Sequence, residues 1–426
     1  METHKLIEMK KYKLGELIDV TRGMSLPGDK YAESGDLIRL TLGNFNIQGN
    51  GFKPNTSKTD LYYTGSVKKE FIMKKGDIIT PLTEQTYGLL GSTARIPESG
   101  KYIQSQDVAL IRSKSDKLYE DFCYYLISSP SVRKQLGAAA QQTKIRHTSP
   151  DKIKDCEVII PEDVNQQIKI TNLLNTIENK ITLNNKINTE LENMAKTIYD
   201  YWFTQFDFPD KDGHPFKTSG GQMVYNETFK REIPAGWEVK RLGDVCEIVL
   251  GGTPSTDKDE YWNGNIPWLN SGEVAEFPII NAEKTVTELG IKDSATELVP
   301  AGTVTLSITR HLRPSILTMD ACINQSVVGI KENKIFSKYF LYPFISSKIN
   351  HYMMLRTGAQ QPHINKETVD ETLVCIPSAE ILEKYNNEVS SIYERIILNA
   401  KETKKLTMLR EYLLPLLMNG QITIKE

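Results

Sequence analysis

Two stretches of this sequence carry the kinds of side chain with which proteins read the edges of nucleobases. Residues 138–147 run "AAAQQTKIRH" and residues 357–366 run "GAQQPHINK" behind a threonine. Amides of Asn and Gln match adenine and the guanidinium of Arg matches guanine, whereas Lys and main-chain amides hold phosphates without reading sequence. Gln141, Gln142, Lys144, Arg146 and His147, with Gln360, Gln361, His363, Asn365 and Lys366, are therefore candidate nucleic-acid contacts. The small residues ahead of each glutamine pair permit close backbone approach. A helix-to-strand turn whose amides bond the main chain is the structural alternative.

A second set occupies places that match between the two halves of the chain but differ in chemistry. Arg39 and Thr41 lie over Trp268 and Asn270, and "TPLTEQTYG" from residue 80, with Thr83 and Gln85, lies over "LSITRHLRP" from residue 306. Arg310, His311 and Arg313 make a dense cationic group there, which as a solvated loop would need no ligand. The turn at Gly252–Ser255 offers Thr253 and Ser255 to a phosphate, or is simply a turn. Tyr261, Trp262 and Trp268 are expected in an aromatic core rather than stacked on a flipped base.

Other chemistries lack their signatures. The sequence has no Asn/Asp-Pro-Pro-aromatic methyltransferase motif, no GxxxxGK[ST] phosphate loop and no HExxH or HxxxH pair. Asp210 followed by Glu238-Val239-Lys240 has the residue types of a metal-dependent nuclease, but Asp210 falls in a connector and "GWEVKRLG" reads as the start of a globule. The five cysteines lie at least 33 residues apart, which gives no CxxC pair and suits isolated thiols.

The elements that must position these residues occur twice. Leu14-Gly15-Glu16-Leu17 matches Leu242-Gly243-Asp244-Val245 at an offset of 228, Ala140-Gln141-Gln142 matches Ala359-Gln360-Gln361 at 219, and "KITLNNK" at 180 matches "RIILNAK" at 395 with an offset of 215. A falling offset means one module, duplicated, that has since gained and lost loop residues. The first part of each copy, 1–161 and 237–378, is punctuated by Gly, Pro and Asn around short β-rich runs such as "GDIITPL" and "GTVTLSI", and reads as an α+β globule. Helices are expected near 119–128 and 336–346.

The second part, 162–207 and 379–426, is polar with apolar residues at seven-residue spacing. The rows are Ile170, Ile177, Asn184, Leu191 and Ile198 in the first, and Tyr385, Ile392, Asn399, Leu406 and Leu413 in the second. Such heptads predict long helices that pair, here as an antiparallel coiled coil. Asn184 and Asn399 hold the same central seam position and are expected to face each other; amides turned to solvent are the alternative. Pro415 should kink the second helix. Residues 208–236, rich in Pro, Gly and Ser, read as an irregular connector.

The length suggests two to three domains, and no run approaches the roughly 18 apolar residues of a membrane span. The net charge is −2, with 24 Lys+Arg against 19 Asp+Glu over residues 1–160 and 13 against 17 over 237–378. That balance excludes a generic polyanion-coating protein but not selective DNA binding. The N-terminal "METHKLIEMKKYK" lacks an apolar signal core, so a cytoplasmic location is expected.

The tandem order, the connector "FDFPDKDGHPFKTSGGQMVYNETFKREIPAGW" leading into "EVKRLGDV", the "GAQQPHINKE" loop and the terminal "LLPLLMNGQI" resemble the specificity subunit of type I restriction-modification enzymes over essentially the whole chain. The resemblance implies that each globule is a target recognition domain reading one half of a bipartite, gapped site in double-stranded DNA. It implies that the helices set the gap and dock two modification subunits, which bind S-adenosylmethionine and methylate adenine. Restriction subunits using ATP and Mg2+ would complete the assembly. The chain itself is then expected to be non-catalytic and to bind no cofactor or metal. A protein-binding scaffold without DNA readout is the alternative, motivated by the acidic second globule.

Overall fold

The computed structural model describes residues 8–46, 50–56, 58–85, 87–139, 146–309, 311–358 and 362–424. They form two compact units, residues 1–180 with 406–426 and residues 181–405.

The first unit opens with a strand, Met9–Lys13, paired antiparallel with Glu157–Pro161, so the start and end of the globule are stitched together. A four-stranded sheet follows in the order Ile18–Arg22, Val108–Ser113, Ile78–Pro81, Ala94–Arg95. A smaller sheet orders Tyr31–Ala32, Tyr62–Tyr63, Ile38–Arg39 and Tyr102–Ile103, with the last pair parallel. The strand Ile78–Pro81 and residues 108–111 of its neighbour are mostly apolar, because one face meets the helix Phe122–Ile127 and the other a second cluster around Leu40, Phe45 and Ile96.

The second unit repeats this plan. Glu238–Arg241 pairs with Leu373–Ile376, and a sheet runs Ile248–Leu250, Val327–Ile330, Val304–Ser307, Pro314–Ile316 in the same strand order. A second sheet again contains one parallel pair, Trp268 with Cys322 and Leu269 with Ile323. The duplication read from drifting offsets is therefore a duplication of topology. Its main helix, Lys338–Met354, is longer than the sequence pattern suggested and runs through Pro343. Burial pushes the thiols of Cys156, Cys246 and Cys322 up to about 11, which leaves them protonated and inert at neutral pH.

Two long helices, Val164–Tyr199 and Ala379–Met418, each contribute to both units. The first ends in a π turn at Asp200–Thr204. The second continues through Pro415 to Met418. Partners along the two helices run in opposite directions: Glu178 meets Arg410 in the first unit, while Asn184 meets Glu402 and Asn188 meets Ile396 in the second. The predicted seam is interior at Ile170, Ile177, Tyr385 and Ile392, and partly covered at Leu191, Ile198 and Leu413.

The expected pairing of Asn184 with Asn399 is corrected. Both are buried, at 1% and 3% exposure, so the solvent-facing alternative also fails. Asn184 Nδ2 donates to Glu402 Oε2 at 2.7 Å, and Asn399 Nδ2 donates to Asn188 Oδ1 at 2.9 Å, whose own Nδ2 reaches the Ile396 carbonyl at 3.1 Å. The antiparallel register is offset by about one helical turn from the one that would pair Asn184 with Asn399. Such a chain of amides is satisfied in one register only. Replacing both Asn188 and Asn399 by Leu should raise the thermal midpoint while admitting a second register or oligomer, checked by unfolding alongside light scattering.

Residues 208–236 are more ordered than their composition suggested. They hold an antiparallel hairpin, Met223–Asn226 with Arg231–Pro234. Phe208 lies stacked between Phe216 at 4.6 Å and Trp237 at 5.2 Å, and Asp207 caps the return by accepting from Thr218 N and Oγ1 at 2.7 and 2.8 Å. Asp210 accepts the backbone N–H groups of His214 and Asp212, each at 2.9 Å, and these bonds hold its carboxyl below the usual range. That is the geometry of a turn, as the connector reading of Asp210 required.

Candidate nucleic-acid interface

The two candidate segments of each globule lie far apart in sequence, and in each copy the fold brings them together. In the first, Thr83–Glu84 pairs antiparallel with Arg146–His147, placing His147 opposite Thr83 and Arg146 opposite Glu84. In the second, Thr309 bridges His363, and Ile364 N donates to the Ile308 carbonyl at 3.1 Å. Thr83 aligns with Thr309 and His147 with His363. The residues that follow each paired-glutamine sequence thus lie against a segment whose side chains differ between the copies.

Glu84 organises the first of these junctions. It is 2% exposed, and one carboxylate oxygen accepts the N–H groups of Gly88, Leu89 and Leu90 at 3.1, 2.8 and 2.9 Å. Its other oxygen meets Arg146 Nη1 at 2.9 Å. A buried carboxylate persists only where hydrogen bonds and an opposite charge replace water, and all of these are present. Arg146 also donates to the Gly137 carbonyl, and its guanidinium lies 4.9 Å from the centre of the Tyr87 ring. Glu84 and Tyr87 were not among the sequence candidates. The pairing that reveals them crosses more than sixty residues, and only the aromatic in "TEQTYG" could have drawn notice.

The remaining candidates separate into exposed and interior groups. Gln85, His147, His311, Arg313 and His363 are exposed, and Ser255 is exposed with its carbonyl accepting from Trp262 Nε1 at 3.0 Å. Thr83 is buried in its strand pair, and Thr253 Oγ1 donates to Gln325 Oε1. Gln141, Gln142, Lys144, Arg310, Gln360 and Gln361 lie outside the described residues.

Arg39 and Trp268 are corrections. Arg39 is 6% exposed, donates to the Asp60 carbonyl at 3.0 and 3.1 Å and packs its guanidinium 3.8 Å from the Tyr31 ring centre. Trp268 is 5% exposed, edge-on to Trp262, with its indole N–H on the Gly252 carbonyl at 3.1 Å. Neither reaches a base edge from there. Thr41 and Asn270 bond within their own turns, to Asn44 and to the Gly272 and Glu273 amides. Asn365 caps the helix Lys366–Asp370 by accepting from Thr368 N at 3.0 Å, and Lys366 pairs with Asp370 at 2.7 Å. Ser149 performs the same capping in the first copy. These four have structural duties, which the sequence left open.

Residues 7–193 and 234–408 match the family described as the type I restriction modification DNA specificity domain. The chain belongs to that family. The match falls twice, once on each copy of the module and the adjoining part of its long helix. Within the specificity family, the chain is 25% identical to the type I restriction enzyme MjaIX specificity subunit of Methanocaldococcus jannaschii, covering 73% of this chain and 71% of that one. It is 22% identical to the HindI specificity subunit of Haemophilus influenzae, covering 97% and 100%. Its fold is shared with the S subunit of a type I restriction-modification system from M. genitalium, with a TM-score of 0.59, 16% identity and 98% of both chains covered. Among the described residues no helix is long and apolar enough to cross a membrane.

Proposed function

We propose that this chain is the DNA-recognition subunit of a type I restriction-modification complex, each globule reading one half of a bipartite, gapped site. The observation that carries this reading is the repeated junction: Thr83 with His147 and Thr309 with His363 hold the same backbone pairing, while the side chains around them differ. Two readers with one frame and different chemistry suit two different half-sites. The paired helices, of roughly 1.5 Å rise per residue, serve as the spacer between the readers. Their apolar residues left in water, among them Leu183, Leu398, Met408 and Tyr412, suit the docking of two modification subunits. S-adenosylmethionine belongs on those subunits, and ATP and Mg2+ on the restriction subunits. This chain supplies recognition and assembly, not catalysis.

The test is a methylome of cells expressing the chain with its modification subunit, beside cells lacking the chain. A gapped, non-palindromic adenine-methylated motif that depends on the chain is expected. Assembled complex without any such motif would overturn the recognition reading in favour of a protein-binding scaffold.

A further inference from the structure

We infer that Tyr87 is a specificity-determining residue of the first globule, an aromatic platform that stacks against a base of one half-site which binding unstacks from its neighbours in the duplex. The inference rests on the recognition reading above and goes beyond it by naming the contact and its chemistry.

Tyr87 is 80% exposed, more than any other large apolar side chain among the described residues. An exposed tyrosine at a loop tip leaves a large apolar area in water, which is unfavourable unless something covers it. The loop beneath it is nevertheless fixed. Three successive amides are held by the buried Glu84 carboxylate, Gly88 takes a left-handed φ of 98° that suits glycine, and Leu89 and Leu90 are buried at 5% and 3%. Arg146 is fixed from the other side by Glu84 and the Gly137 carbonyl, and it backs the ring with its guanidinium. A ring ordered before its partner arrives loses little freedom on binding.

The surroundings select the partner. Behind Tyr87 stands the guanidinium of Arg146, whose carboxylate partner, Glu84, is buried and shared among four donors. A planar face backed by a guanidinium, whose carboxylate partner is withdrawn into the interior, suits a polyanion that carries aromatic rings. In the second globule the corresponding connection between sheet strands, residues 308–313, is shorter than residues 82–93 of the first, and the Arg313 carbonyl accepts from Ser307 N at the start of the return strand. The first reader therefore carries, in its longer loop, a tyrosine that the shorter loop of the second does not repeat. Losing the ring should alter one half-site and spare the other.

The experiment compares Tyr87→Ala, Tyr87→Leu and Tyr87→Phe with the wild-type chain, each co-expressed with the modification subunit. The readouts are the methylome and the affinity of the purified complex for the motif. Tyr87→Phe should keep the motif. The Ala and Leu variants should lose about tenfold or more in affinity, as one stacked base is worth, and become degenerate at one or more bases of one half-site, with the other half and the gap unchanged. If the Ala and Leu variants keep the wild-type motif and affinity, Tyr87 has no part in recognition. Uniform weakening on all sequences with an unaltered motif would also overturn the specificity role. A wild-type complex that gives no motif would instead fail the recognition reading itself.

Discussion

Tyr385→Ala is expected to destabilise residues 181–405 by about 3–5 kcal/mol, the cost of truncating a fully buried aromatic side chain. Tyr385 is 0% exposed and opens the heptad row of the second long helix. Its ring sits 4.8 Å from Phe203, 5.6 Å from Trp202 and 6.3 Å from Tyr199, all from the end of the first long helix. Phe203 in turn meets Phe340 of the globule at 5.0 Å and Trp237 at 6.2 Å. One ring thus joins two helices, the connector's end and the globule, and its neighbours, being aromatic and mutually packed, cannot collapse into the space it leaves. The hydroxyl matters less: it donates to the Tyr339 carbonyl at 3.3 Å. Tyr385→Phe should therefore cost only about 0.5–1.5 kcal/mol. Chemical denaturation of both variants separates the two contributions; equal losses would place the effect in the hydroxyl and not in packing.

How far the sequence led can be judged residue by residue. The helical seam was legible because a heptad is a local periodicity, and Ile170, Ile177, Tyr385 and Ile392 are interior as the spacing required. Its register was not legible, since a second row of mostly apolar residues lies one turn from the first and the amide contacts of Asn188 and Asn399 distinguish the alternatives. The connector hairpin was masked by composition: Pro, Gly and Ser surround two four-residue strands that carry little periodic signal.

The site was half legible for a different reason. Comparing copies finds positions that keep their place and change their chemistry, but a core repacked after duplication gives the same signal as a reader retuned for another base. Arg39 and Trp268 are of the first kind, each satisfied in its own interior. Tyr87 and Arg313 are exposed, as a reader's contacts have to be. Burial separates the two classes, and burial depends on strand pairing over long separations. The same holds for Glu84, an acid that reads as a poor DNA contact in sequence yet fixes the loop that presents Tyr87.

The pair between Glu178 and Arg410 should be the most sensitive polar contact of the first unit. Both side chains are largely covered, at 15% and 13% exposure, and Arg410 Nη1 stands 3.6 Å from Glu178 Oε1. The position is charged but poorly hydrated: burial raises the Glu178 pKa above its ordinary 4.5, against the pull of Arg410 and Arg95. Removing Arg410 leaves the covered Glu178 carboxylate with the pull of Arg95 alone among its cations, so Arg410→Met is expected to cost about 1–3 kcal/mol at neutral pH. Removing both, with Glu178→Met added, should recover much of that loss, because two apolar side chains no longer require desolvation of charge. The pH dependence has a definite sign. A carboxyl whose folded pKa lies above its unfolded value favours the folded state most at low pH, and this contribution is lost as pH rises through the folded pKa. Without Arg410 the folded pKa rises further, so the penalty of Arg410→Met should shrink as pH falls toward 4.5 and grow toward neutrality. Denaturation of the wild-type chain, the single variant and the double variant across that range checks this. A penalty independent of pH, or a double variant no better than the single, would mean that Arg410 acts by packing its stem and not by neutralising Glu178.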